Sequence, residues 1–176
     1  MKKIALGLIV LVAVFLVTVD MQPDNFLVIR SAAINAPANK IFPYLNSPRK
    51  MAEWSPWTKL DPNGTFTYEG PATGIGATSK WSGNSKLGVG SATIVGVRKN
   101  ELVRSELNFE KPMKATNIAE FRLQKNGHKT EVTWSMFGKN NFTGKAMNLV
   151  FNCERMVGKS FEQGLLNLKK LTEPKE

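Results

Sequence analysis

Two hydrophobic periods divide most of this chain. Between Thr65 and Gly138 apolar and polar residues alternate, and between Gly144 and Leu171 the apolar ones return at helical spacing. In the first region Val103, Ser105, Leu107 and Phe109 share one face, while Arg104, Glu106, Asn108 and Glu110 share the other. A sheet wetted on one side reads this way. Ala119, Phe121 and Leu123 alternate in the same manner with Glu120, Arg122 and Gln124, and Phe66 and Tyr68 alternate with threonines. Trp81 closes a strand before Ser82-Gly83-Asn84. Asn126-Gly127 marks a tight hairpin leading into Thr130, Val132, Trp134 and Met136. These signals predict a meander of antiparallel neighbours.

In the second region Met147, Val150, Phe151, Val157, Phe161, Leu165 and Leu168 form an apolar stripe, with Asn148, Glu154, Arg155, Lys159 and Glu162 interspersed. One helix over Gly144–Leu171 would reach about 40 Å at 1.5 Å per residue, long enough to cross a whole sheet. Before the meander, Phe26–Ile34 is rich in β-branched residues and reads as a strand. Asn35–Leu45, with Pro37 near its first helical position, reads as a helix that Pro43 bends or ends. Ser47-Pro48 opens a second short one. The predicted class is α+β: a helix-grip arrangement of about seven antiparallel strands curved around a long C-terminal helix, with two short helices after the first strand.

Ahead of this domain, Ile4–Val19 carries no charge and follows Lys2 and Lys3. Sixteen residues lie between a signal-peptide core and the roughly 20 of a full span. Val14–Asp20 offers no small-residue cleavage pattern and no lipobox cysteine, so an uncleaved signal anchor is expected. Lys2 and Lys3 would stay in the cytoplasm and place the domain on the periplasmic or extracytoplasmic side. The expected division is anchor 1–21, linker 22–25 and ligand-binding domain 26–172.

From about Phe26 to Leu171 the chain resembles the SRPBCC (START-like) superfamily, in its polyketide cyclase/dehydrase-like branch. The resemblance rests on Ile34-Asn-Ala-Pro37 with Ile41-Phe42, on Trp54-Ser-Pro-Trp57, on Glu69-Gly-Pro-Ala-Thr-Gly74-Ile-Gly76 before the Trp81 strand, and on Met156–Lys169. It implies a deep cavity between sheet and helix that holds lipids, polyketides or other apolar ligands. It brings no universal catalytic set, so no catalytic residue is carried over.

Composition narrows the chemistry further. The 176 residues include one cysteine, Cys153, and one histidine, His128. An intrachain disulfide and a cysteine-based zinc cluster are thereby excluded, and no metal or cofactor is expected. His128 follows a hairpin turn, an exposed setting poorly suited to catalysis. The net charge of +10 is spread along the chain with no basic run longer than two. Nucleic acid, which favours a basic stripe with exposed aromatics, is not an expected partner; an anionic membrane surface fits better. Gly74-Ile-Gly76 and Gly88-Val-Gly90 lack the third glycine and the strand-to-helix setting of a dinucleotide site. Turns or bulges explain them better.

The candidate ligand-binding residues are Trp54, Trp57, Tyr68, Trp81, Phe109, Phe121, Trp134, Met136, Met147, Phe151 and Glu154. The aromatic ones bury large apolar areas, and each tryptophan keeps one N–H for a polar handle. Glu154 falls in the apolar stripe of the long helix, where a carboxylate can bind a ligand hydroxyl, act as an acid or base, or pair with Arg155 or Lys159. Cys153 reads as an inert buried thiol. The expected function is non-catalytic, membrane-tethered binding of a hydrophobic small molecule or lipid, for transport or sensing. The alternative is a cyclase, dehydrase or hydrolase with Glu154 and Tyr68 as its polar groups. A third reading is an envelope protein whose surface contacts a protein partner of unknown kind.

Overall fold

The computed structural model describes residues 2–174, apart from the side chains of Lys2 and Phe151. The chain runs α1 (Lys2–Asp20), β1 (Asn25–Ile34), α2 (Ala38–Leu45), α3 (Pro48–Trp54), a 3-10 turn (Pro56–Lys59), β2 (Thr65–Glu69), β3 (Thr78–Ser82), β4 (Val89–Arg98), β5 (Leu102–Lys111), β6 (Ala115–Asn126), β7 (Lys129–Lys139), α4 (Phe142–Phe151) and α5 (Cys153–Thr172). The seven strands form one antiparallel sheet in the order β1-β7-β6-β5-β4-β3-β2. β2 to β7 are a meander, as the alternation predicts, and β1 closes against β7. Register shifts between Val89 and Gly90 and between Ile94 and Gly96 interrupt the β4–β5 ladder, and such bulges add twist and bend. The helix-grip architecture expected from the sequence is present.

Each short helix starts where its proline allows. Pro37 stands in extended backbone as the N-cap of α2, and Pro48 occupies the first turn of α3, where a missing N–H costs nothing. Pro43 lies inside α2, which ends two residues later.

The inner face of the sheet carries Val28, Val103, Phe121, Leu123, Val132, Trp134 and Met136, all buried. α5 lies over this face beside β1 and presses Phe161, Leu165 and Leu168 onto it. Gly164 makes the close approach: a Cβ there would sit 2.8 Å from the Trp134 ring and 3.2 Å from that of Trp54. α2 and α3 seal the same end with Ile41, Leu45 and Trp54.

The single helix expected over Gly144–Leu171 is two. Asn152 adopts a left-handed conformation (φ 47°, ψ 60°), and its backbone N–H donates to the Asn148 carbonyl to end α4. Its side chain then accepts the Arg155 N–H to begin α5. Asparagine is among the few residues that tolerate this conformation and is also a favoured N-cap, so one side chain permits both the stop and the restart. Apolar periodicity runs through the break because it registers burial but not backbone continuity.

α1 carries an 18-residue window of mean hydropathy 2.4 that is only 6% buried. It is long and apolar enough to cross a membrane, a property it shares with signal sequences. Its C-terminal end is tied to α4. Val19 is fully buried, and the Lys145 ammonium donates to the Asp20 carbonyl at 3.0 Å and pairs with Asp24 at 2.6 Å.

Candidate functional site

The groove between sheet and helices has two unlike halves. In one, under α5, aromatic rings fill the space. Trp134 stacks on Phe161 with centroids 4.0 Å apart and lies 4.7 Å from Phe121; Trp54 and Trp57 each meet it edge-on at 5.4 Å. Trp54 donates its indole N–H to the Tyr44 carbonyl at 3.1 Å. The Trp134 N–H is buried with no partner among the described residues, an unmet donor inside an otherwise apolar cluster.

In the other half, beneath α4, the groove is open. A cavity of about 600 Å³ lies between the ends of β5, β6 and β7, the start of β1, and α4. Its apolar wall includes Phe26, Phe109, Met113, Ala115, Met147 and Cys153. The strand register explains the space. Phe26 pairs with Gly138 and Phe109 with Ala115, so each large side chain on this row faces a small one. Gly144 on α4 widens the opposite wall. Trp81 does not line the cavity but backs it, meeting Phe109 edge-on at 5.9 Å. Its indole lies over Gly90, where a Cβ would come within 2.6 Å.

Polar groups enter this cavity at particular heights. Asn117 comes from the inner face of β6 and Asn148 from α4; Asn140 and Asn141 come from the β7–α4 connection. Asn141 is committed as the N-cap of α4, accepting the Gly144 N–H at 2.8 Å, and Asn140 donates to the Pro23 carbonyl. Glu110, Lys114, Thr116 and Lys139 complete the lining and are exposed. Burial pushes the Cys153 thiol up from its ordinary pKa, so at neutral pH it remains protonated and weakly nucleophilic.

The sequence-named residues therefore divide. Phe109 and Met147 line the cavity, and Trp81 supports it. Trp54, Trp57, Phe121, Trp134 and Met136 belong to the packed half. Tyr68 is half-buried on edge strand β2, with the Arg49 guanidinium 4.5 Å above its ring. The Phe151 side chain lies outside the described residues. Glu154 pairs with neither Arg155 nor Lys159. It holds Arg30 at 3.1 Å, and Glu162 holds the same guanidinium at 2.7 Å. The two carboxylates stand two turns apart on α5 with Gly158 between them; a Cβ there would meet the Arg30 guanidinium. Both hydrogen bonds raise the Arg30 pKa above its usual value. His128 is exposed at the β6–β7 turn, and no cluster of metal-ligating side chains occurs among the described residues.

Sequence reading missed Phe26, Met113, Ala115, Asn117 and Asn148. Ala115 and Asn117 continue the inward phase of Ala119, Phe121 and Leu123 on β6, whereas Phe26 lies on β1, whose sequence does not alternate. The missing signal was the position of α4, which depends on the break at Asn152.

A family model described as polyketide cyclase / dehydrase and lipid transport matches residues 26–173. No curated protein sequence matches this chain. Among solved structures, a protein from Chromobacterium violaceum is similar with a TM-score of 0.61 at 14% identity, covering 87% of this chain and 99% of its own. The KanY protein has a TM-score of 0.63 at 14% identity, covering 85% and 99%. The Aha1 dimer from Colwellia psychrerythraea has a TM-score of 0.59 at 18% identity, covering 84% and 96%. At such identities these likenesses speak for the fold alone.

Proposed function

This chain belongs to the polyketide cyclase / dehydrase and lipid transport family, and on that premise we propose that it binds a hydrophobic small molecule or lipid at a membrane, in the cavity beneath α4. The observation that carries the reading is the open half of the groove. About 600 Å³ with a mostly apolar wall falls within the usual range for small-molecule pockets, roughly 300–1,000 Å³. In the aromatic half the rings of Trp54, Trp57, Phe121 and Phe161 pack directly on Trp134.

The position of the cavity supports the tether. The C-terminal end of α1 docks on α4, the same helix that roofs the cavity. Read as an anchor with Lys2 and Lys3 inside, α1 would leave the bilayer at Asp20 and hold the cavity beside the extracytoplasmic surface. Phe142, Leu149 and Val150 are exposed on α4, on an arc of roughly 100° at 3.6 residues per turn, away from the cavity-lining Met147 and Asn148. Binding is preferred to catalysis because neither Glu154 nor Tyr68 lines the cavity.

The test fills the space. Ala115→Trp adds an indole to the cavity wall at a position that is only partly buried. The full chain and this variant, purified identically, are extracted with organic solvent and the extracts identified by mass spectrometry. An apolar compound recovered at near-stoichiometric yield from the native chain and lost from the variant is expected. Equal recovery from both would remove the cavity from the account.

A further inference from the structure

We propose that the ligand is a single-chain amphiphile with an anionic head, held with its chain against the apolar wall and its head at the lysine-bearing rim. The inference rests on the binding function proposed above and names the ligand class for the same cavity.

Volume limits the ligand first. A water molecule's share of liquid volume is about 30 Å³, and a methylene is of similar size. A cavity of about 600 Å³ therefore takes on the order of twenty non-hydrogen atoms. That matches one long acyl chain with a compact head. Phe26, Phe109, Met113, Ala115 and Met147 offer the chain carbon and sulfur surfaces that ask for no hydrogen bonds.

Charge and hydrogen bonding then choose the head. Lys114 and Lys139 stand on the lining with one carboxylate, Glu110, so the rim carries a surplus of one positive charge. Neither lysine joins an ion pair among the described residues, whereas Lys145 close by is held by Asp24. Asn117 on β6 and Asn148 on α4 both line the cavity, and their side chains make no hydrogen bonds among the described residues. Each carboxamide offers two N–H donors, suited to the several acceptor lone pairs of a carboxylate or phosphate. A neutral alcohol would engage the donors but gain nothing from the lysines. An amine would be repelled by them.

Cys153 supplies the readout, because it is the chain's one cysteine and lines the cavity. The full chain is placed in phosphatidylcholine vesicles, and the rate of maleimide labelling is followed at alkaline pH, where the thiol ionises and fatty acids are charged. Hexadecanoate, hexadecyl phosphate and hexadecanol are compared at equal membrane content. The expected result is that at least one anionic probe slows labelling about tenfold more than hexadecanol, a factor that two rim contacts of under 1 kcal/mol each can supply. Which anion protects better separates a carboxylate ligand from a phosphate one. Lys114→Ala/Lys139→Ala, at two exposed positions, is expected to erase the preference while leaving the effect of hexadecanol.

Equal protection by all three probes, or an unchanged preference in the double variant, overturns the anionic head and leaves the binding function standing. No protection by any probe, together with native labelling rates in Ala115→Trp, overturns both.

Discussion

The two halves of the groove share one sheet face and differ in how the chain roofs it. Under α5 the roof is close: Gly164 lets the helix rest on Trp134 and Trp54, and five aromatic rings consume the space. Under α4 the sheet presents Ala115, Asn117 and Gly138 where the closed half presents Phe121 and Trp134, and a cavity remains. The same scaffold thus stores stability at one end and spare volume at the other. Aromatic content does not locate a pocket; the pocket lies where the cross-strand row runs to small residues and the roof is a separate helix.

The largest expected effect comes from emptying the closed half. Trp134→Ala should cost about 3–5 kcal/mol, the usual range for removing a large buried aromatic, because its ring touches four others. Trp134→Phe keeps most of the stack and also removes a buried N–H that has no partner among the described residues, so it should cost far less. Denaturant unfolding of the two variants checks this. A near-zero loss for Trp134→Ala would mean that this half is loosely packed, and the contrast with the open half would fail.

How far the sequence reached follows from the same contrast. Alternation in β5, β6 and β7 was readable because one face of each strand meets water, and prolines marked the starts of α2 and α3. The residues of the packed half were equally readable as apolar and inward. Apolar and inward, however, describes core and cavity walls alike. What separates Trp134 from Phe109 is which helix roofs it, and the two helices part at Asn152. One residue in a left-handed turn leaves no periodic signature. Glu154 was misleading for a related reason: its partner Arg30 is 124 positions away, on a strand that only the closure of β1 against β7 brings beneath α5.

Overfilling sharpens the comparison from the opposite direction. Gly164→Val would drive a branched side chain into Trp134, Trp54 and Pro56, none of which has a flexible end to yield. A loss of about 2–3 kcal/mol is expected, at the upper side of overpacking costs. Ala115→Trp adds a larger group to the open half and should change stability by less than about 1 kcal/mol, as cavity-filling changes commonly do. Thermal unfolding of both in the same buffer tests the pair. If Ala115→Trp proves the more damaging of the two, the cavity is a strained region and not spare volume.

The smallest expected effect concerns the joint between α1 and the cavity roof. Lys145, with a lesser contribution from Lys139, holds the Asp24 carboxyl below its ordinary pKa of 3.8. A carboxylate whose folded pKa is lowered contributes stability above its unfolded value and loses it as pH falls through the folded one. The Asp24–Lys145 tie should therefore be intact at neutral pH and released only in acid more extreme than a free aspartate would need. Because Asp24 is exposed, the tie is screened by salt, and the effect belongs to the linker more than to the domain. Protease cleavage of the 21–24 segment measures it. Asp24→Asn should be cut faster than the native chain at neutral pH and low salt, with the gap closing on acidification or in high salt. A gap that survives both would show that the carboxylate charge does not hold the joint, leaving Val19 and the Lys145 bond to the Asp20 carbonyl to seat α1 against the roof of the cavity.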